Sequence, residues 1–430
     1  MFVKEPVNTN VYYSVKPLHC VAQLVGLAPY CYIRNPQTGE ELIDISRSSN
    51  VKKIIWALVL LFTQFIGIIW YTADNFINPP NSLVDFVEDT IQFPFFAATS
   101  MTAMMLALTT NRSKMLQIVK HLNVTDNLLF HNPNNIYKQQ HKQLLIILLC
   151  VTVSSIILFY FDVYYYLTYN PLYVIVIYVP YFIWSINELQ FLNVVEMLKL
   201  RLTTLNGNIS MFSAKEYSIG NVSSNFVYMR RRHTRNRYAS NIDSSVNTEE
   251  CMGKTLQISN HESIRTSHIL KLSEIYNRLY EMCSLLNSMY GYMLLQQFSA
   301  YIMCLVVDGY ILVRLLIDLY KADDPLIPRE GYTALLLWNV SNVVRPFVVC
   351  LSCQRLKNEY KRTVYYVQTI KLHPDMSREI SNQLKLFANQ IKHCKLEFSA
   401  CDFFDINLSL FCSVILTATT YITVLVLLES

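Results

Sequence analysis

The chain has 430 residues, of which 52% are hydrophobic and 16% charged, with a net charge of +5. That balance is too apolar for an ordinary soluble domain. Nine glycines against 29 tyrosines exclude collagen-like and low-complexity classes as well. The start carries no pattern of a cleavable signal, because His19, Gln23 and Pro29 interrupt Leu18–Ile33.

Taken in chain order, seven apolar segments stand out: Ile54–Tyr71, Ile91–Thr109, Leu144–Tyr166, Tyr173–Val195, Tyr292–Leu316, Tyr332–Ser352 and Phe404–Leu428. Each has the length that a tilted helix needs to cross a bilayer. Lys and Arg are distributed unevenly between the connections. The region before Ile54 holds six, and the connections after segments 2, 4 and 6 hold five, twelve and nine. The connections on the other side hold only Lys321 and Arg329 between them. Lys52, Lys53, Arg112, Lys114, Lys142, Lys199 and Arg201 sit close to segment ends on the rich side, where charges set orientation. The expected fold is therefore an all-α membrane protein with seven transmembrane helices, N-terminus cytoplasmic and C-terminus extracellular. A G-protein-coupled receptor has its N-terminus on the opposite side. No cysteine falls in an expected outer connection, so no disulfide is expected there. Six N-glycosylation sequons all fall in cytoplasmic or membrane positions, so no N-glycan is expected.

Residues 1–53 read as a cytoplasmic N-terminal segment and 54–198 as transmembrane helices 1–4. Residues 199–263 read as a cytoplasmic loop, largely disordered, since 210–263 is polar and aperiodic. Its Arg230-Arg231-Arg232 run reads as a solvated positive segment rather than a nucleic-acid patch. Residues 264–352 hold helix 5, with a cytoplasmic extension, and helix 6. In that extension Leu272, Ile275, Leu279, Met282, Leu286 and Met289 keep the three–four spacing of a packed seam. Residues 353–403 read as cytoplasmic anchor helices, where Ile380, Leu384, Phe387, Ile391 and Cys394 form an apolar face opposite Lys385, Lys392 and Lys395. These extensions form an anchor base. Residues 404–430 are the last helix.

That last helix carries Ser409, Ser413, Thr417, Thr419, Thr420 and Thr423. Thr417, Thr420, Val424 and Leu427 recur at spacings of three, four and three, one stripe of a 3.6-residue helix. Hydroxyls closed by apolar rings suit a water-filled path. The same small residues also serve helix–helix packing.

Ionisable groups inside spans are costly and mark candidate sites. Asp162 and Asp308 lie towards the outer ends of segments 3 and 5. Tyr165, Tyr166, Tyr169, Tyr181, Trp184, Trp338 and Asn339 fall at comparable depth. Carboxylates among aromatic rings suit a small polyol or an amine. The competing reading is an interfacial aromatic belt with hydrated aspartates. Glu188 and Arg345 match in depth within about 3 Å at the helical rise, so they either pair or face cytoplasmic water. Pro346 is expected to kink its helix. Cys350 and Cys353 form a lone CxxC without a second pair, so no metal is expected. No catalytic triad, phosphate-cradling loop or HExxH motif is present, so neither an enzyme nor a cofactor is expected.

Three stretches resemble one family. Lys16-Pro17-Leu18 with Gly26-Leu27-Ala28-Pro29-Tyr30 is similar to its opening segment. Leu286-Asn287 through Tyr290-Gly291 resembles the start of its fifth helix. Glu397-Phe398, Ala400-Cys401-Asp402-Phe403-Phe404-Asp405-Ile406-Asn407 and then Thr420-Tyr421 resemble its ending. The family is the insect gustatory receptors, within the insect chemoreceptor superfamily. The resemblance implies a tetrameric, tastant-gated, non-selective cation channel, homomeric or heteromeric with other gustatory receptors. In it the seventh helices line the pore, and each subunit binds a small molecule, a sugar or a bitter plant compound, in the outer half of helices 3 to 6. It further implies the plasma membrane of gustatory neurons, with membrane lipid as the other partner and no nucleic acid. The family ends on Gln-Phe, where this chain has Leu427-Leu428 and then Glu429. By that register Val424 stands at the gate and Leu427 at a pore-facing glutamine, with Glu429 concentrating cations at the mouth. The alternatives are a seven-helix transporter, a G-protein-coupled receptor, or a non-conducting partner subunit.

Overall fold

A computed structural model describes the backbone of residues 11–34, 41–44, 47–77, 92–130, 132–166, 171–235, 248–321, 329–371 and 377–429. Side chains are described for these residues except 31–49, 164–175, 215–262, 318–332, 371 and 429. The described chain is almost wholly helical. Helix α1 is Val11–Leu24, α2 is Arg47–Ile77, α3 is Phe93–Thr109, α4 is Asn111–Leu129 and α5 is Asn134–Tyr166. Then come α6, Pro171–Arg235; α7, Thr248–Lys321; α8, Arg329–Lys371; α9, Arg378–His393; and α10, Leu408–Glu429. Two short antiparallel pairs complete it: β1 (Cys31–Arg34) with β2 (Glu41–Asp44), and β3 (Ser399–Ala400) with β4 (Phe404–Asp405).

Among the described residues α2, α5, α7, α8 and α10 are long and apolar enough to span a bilayer. A sixth span arises if α3 and α4, bent by 67°, are taken together. The remaining apolar segment, Tyr173–Val195, belongs to α6. Asn187 and Glu188 are buried there against neighbouring helices rather than facing lipid, which lowers its hydropathy without moving it out of the bundle. By contrast α2 turns Ile55, Phe62, Phe65, Ile66 and Ile69 outwards, the surface a lipid-facing helix presents.

Several boundaries differ from the sequence expectation. Residues after Thr109 fold as α4 rather than as a loop, because Asn111-Arg112 ends the apolar run while helix formers continue. Helix α6 runs on to Arg235 and α7 begins at Thr248. Polar composition thus removed the amphipathic signal from 210–263 without removing helix-compatible residues; residues 236–247 lie outside the described chain. The last helix begins at Leu408, not Phe404. Phe404–Asp405 pairs in the β3–β4 hairpin, and Asn407 caps the helix by accepting from the Leu410 amide at 3.0 Å.

The largest core runs from the Tyr178–Trp184 rings down to the basic end, where α6, α7, α8 and α9 meet. All six residues of the Leu272–Met289 seam are buried. Helix α9, capped by Ser377, buries Ile380, Leu384, Phe387 and Ile391 and leaves Lys385 and Lys392 exposed. Each such side chain contributes roughly 1.5–3 kcal/mol. Between α4 and α6, Arg201 donates Nε and Nη2 to Asp126 at 2.9 and 2.7 Å, with both side chains fully buried. Tyr137 donates a third bond to the same carboxylate at 2.7 Å. Helix α1 packs on α5 and leads into a turn at Gly26, φ +80°. A Cβ there would stand 2.8 Å from Met104 Cε and 3.3 Å from Ala57, so only glycine fits.

Candidate functional site

At the end of the bundle away from the basic loops, five helices contribute to one polar–aromatic cluster. Asp162 of α5 accepts from the Tyr178 hydroxyl of α6 at 2.7 Å and from Trp338 Nε1 of α8 at 2.9 Å. The rings continue inwards. Tyr181 meets Trp338 edge-on at 4.8 Å between centroids, and Trp184 lies 5.0 Å from Tyr301 and 4.9 Å from Phe96. Trp184 and Tyr301 are fully buried. Below them Arg345 donates Nε and Nη2 to Glu188 Oε2 at 3.0 and 2.7 Å, and Tyr301 donates to the same oxygen at 2.8 Å. The guanidinium carbon stands 4.1 Å from the Trp184 ring and 4.9 Å from that of Tyr181. Glu188 and Arg345 therefore pair inside the bundle rather than facing water, and the rings above Arg345 replace part of its hydration. Helix α8 passes through Pro346 without a break.

Asp308 of α7 is held differently. Gln92 donates to one oxygen at 3.0 Å and Asn342 to the other at 2.7 Å. Asn339 bonds the Asp308 carbonyl at 3.2 Å instead of its carboxylate. Both aspartates thus accept hydrogen bonds from neighbouring helices, Asp162 through Oδ2 and Asp308 through both carboxylate oxygens. Within this cluster, Trp184 Nε1, Arg345 Nη1, Gln92 Oε1 and Asn342 Oδ1 are buried polar atoms left without a partner among the described residues. Two donors and two acceptors in an aromatic setting can bind a small molecule with both aromatic and hydroxyl or carbonyl groups.

Sequence reasoning missed Tyr178, Tyr301, Gln92, Asn342 and Ser341, whose hydroxyl lies 3.0 Å from that of Tyr181. A signal existed for two of them. Tyr301 precedes Asp308 by seven residues and so shares its face, and Asn342 follows Trp338 by four. The side chains of Tyr165 and Tyr166, and Tyr169 altogether, lie outside the described residues.

Helix α10 lies beside this cluster. It buries Val414 and Ala418 against α7 and α8. Ile422 sits so close over Gly309 that a Cβ there would be 2.6 Å from its Cδ1. Gly309 follows Asp308 directly, so the cluster and α10 share one stretch of α7. Thr417, Thr420, Val424 and Leu427 all lie on the opposite, exposed face. Thr420 and Thr423 donate to carbonyls one turn back at 2.9 and 2.8 Å. With their protons engaged, these hydroxyls present oxygen lone pairs outwards. The Glu429 side chain lies outside the described residues.

The base of α10 is fixed by two of the stretches singled out above. Asn287 accepts from the Ser399 amide at 3.1 Å and donates to its hydroxyl at 3.2 Å. Lys357 of α8 reaches Glu397 at 3.4 Å and Asp405 at 3.6 Å. The turn between β3 and β4 places Cys401 and Asp402 at φ 50° and 61°, the left-handed region that L residues seldom occupy.

The chain can now be set beside known proteins. No curated protein sequence matches it. Among solved structures it is similar to the insect olfactory receptor OR5 from Machilis hrabei, at 12% identity and TM-score 0.62 over 96% of this chain and 97% of that one. The structure of the same receptor in complex with eugenol matches over the same extents at 12% identity and TM-score 0.63. The fold is thus the seven-helix fold of that receptor, with Tyr173–Val195 of α6 as one of its seven apolar segments. The family described as 7tm Chemosensory receptor matches residues 15–426, and the chain belongs to that family of multi-pass membrane receptors.

Proposed function

We propose that the protein is a gustatory receptor of insect type, a tastant-gated, non-selective cation channel in the plasma membrane of sensory neurons. The small molecule binds among Tyr178, Tyr181, Trp184, Trp338 and the unpartnered polar atoms around them. The pore is lined by α10 in a tetramer, homomeric or with other gustatory receptors, and the N-terminus is cytoplasmic. The observation that carries the reading is the geometry of α10. One face is seated on the same stretch of α7 that holds Asp308, while the hydroxyl stripe from Thr417 to Leu427 is left uncovered. A ligand that displaces rings in the cluster shifts α7, and Ile422 transmits the shift. The eugenol complex of OR5, itself a receptor of this fold, supports a small-molecule ligand. No catalytic step is involved.

The test is expression of the chain alone with calcium influx and whole-cell current as readouts, sugars and alkaloids as probes, and G-protein signalling blocked. Current that persists under the block supports the channel. Current that vanishes favours a G-protein-coupled receptor. A second reading, a subunit that conducts only in a heteromer, is favoured by Leu427. It is strongly exposed and apolar where the family carries a glutamine, and Val424 and Leu427 then form two stacked apolar rings, which dewet readily. Leu427→Gln is expected to raise current or leak severalfold. An unchanged current means that Leu427 does not face the path.

A further inference from the structure

A second polar site opens towards the basic end, next along α6 from Glu188 but about 100° round the helix from it. Where α3 bends into α4, the Leu27–Tyr30 segment, α6 and α7 line a half-open crevice with room for water over about 20 Å³. Its polar lining is Tyr30, Asn111, Arg112, Asn187, Gln190 and Tyr290. No Asp or Glu is among the described residues that line it. Asn187 is 4% exposed, and its Nδ2 donor has no partner. A buried amide N–H without an acceptor is costly unless a ligand supplies one. Arg112 stands half-exposed at the rim. Asn111 and Arg112 also open α4, whose first turn receives no side-chain cap from Thr110, so the positive end of a helix dipole adds to the guanidinium. The enclosed floor admits one water-sized group, the size of a single phosphate oxygen, and the rest of a ligand stays in the open part.

The level of the crevice in the membrane identifies the source of the ligand. Three residues before Leu27 of the lining, the Leu24 carbonyl accepts from the Trp56 indole N–H at 2.8 Å, and both side chains are exposed. An exposed tryptophan with its N–H turned to a carbonyl, beside an exposed leucine, marks the headgroup level of a bilayer. We infer that this crevice binds the phosphate of an acidic phospholipid headgroup, with Asn187 Nδ2 at the floor and the Arg112 guanidinium at the rim. The inference does not depend on the channel reading.

Full-length receptor purified in neutral detergent is titrated with three probes: short-chain phosphatidylglycerol, its phosphatidylcholine equivalent and inorganic phosphate. Binding is read by native mass spectrometry, with the melting temperature of every variant recorded. Phosphatidylglycerol is expected to bind more tightly than the other two. Arg112→Gln and Asn187→Leu should each weaken it about tenfold, near 1.4 kcal/mol. Arg112→Lys should retain most of the binding, and Lys142→Gln, an exposed basic residue on α5 at the same end, all of it. Undiminished binding in Arg112→Gln and Asn187→Leu overturns the site, as does an equal loss in Lys142→Gln, which indicates diffuse attraction to a basic surface. Inorganic phosphate binding with the same sensitivity while the lipid does not overturns the lipid source and leaves a soluble phosphate in its place.

Discussion

Single side chains in the interior are decided by who donates to them. Glu188 collects three hydrogen bonds on one oxygen from Arg345 and Tyr301, and Arg345 lies against the faces of Tyr181 and Trp184. Removing either partner strands a buried charge, so Glu188→Ala or Arg345→Ala is expected to cost about 3–5 kcal/mol. The swap Glu188→Arg with Arg345→Glu should recover part of that loss. A double-mutant cycle on the melting temperature of purified receptor measures it, and purely additive losses reject the pair. Depth counted along two helices was enough to bring these residues to the same level. It could not tell whether their azimuths faced each other, nor foresee Tyr301 as the third member. Asp162 and Asp308 make the same point in reverse: their depth was legible, but the donors that occupy them come from α3, α6 and α8.

Elements hold their places through contacts that local pattern does not encode. Helix α1 is tied down by His19, which is buried, bonds Gln23 at 2.6 Å and packs beside Tyr30. Burial chiefly, with nearby Lys53 adding to it, lowers its pKa from 6.5 to about 4, while a hydrogen bond to the Tyr30 backbone opposes the shift. Because the folded value lies below the unfolded one, the stability of the neutral imidazole is fully present above pH 6.5. It is lost as pH falls towards 4, by up to roughly 3 kcal/mol. Protection factors across α1, taken relative to the intrinsic exchange rate at each pH, should therefore fall between pH 7 and 4.5, and His19→Gln should flatten that dependence. Equal pH dependence in both proteins removes His19 as the cause. The seam of α7 and the apolar face of α9 were readable from spacing alone, since a helix with one buried stripe repeats every three or four residues. The bend at Thr110 and the β3–β4 hairpin were not, because both depend on partners far along the chain.

Over the whole molecule, the distribution of basic residues and the arrangement of α10 make one joint prediction. If the basic end is cytoplasmic, the carboxyl end of α10 emerges outside. A tag after Ser430 should stain in intact, unpermeabilised cells, and a tag before Val11 only after permeabilisation. The reverse pattern removes the shared pore axis along with the topology. The uncovered stripe of α10 has its explanation at this scale too. Thr417, Thr420, Val424 and Leu427 are exposed in the single chain, and under the channel proposal other subunits complete that surface.

The sequence by itself determined the membrane class, the seven apolar segments and the faces of the anchor helices, because burial in lipid and packing on one side both write a period or a run length into the chain. It also marked Asn287 and the 397–407 stretch as similar to one family without saying that they touch. Only the tertiary structure decided that Asn287 pins the hairpin beneath α10, that Gly309 admits Ile422, and that the aspartates are already bonded. Those outcomes rest on relative helix rotation and on contacts between residues a hundred or more positions apart. No local periodicity carries that information.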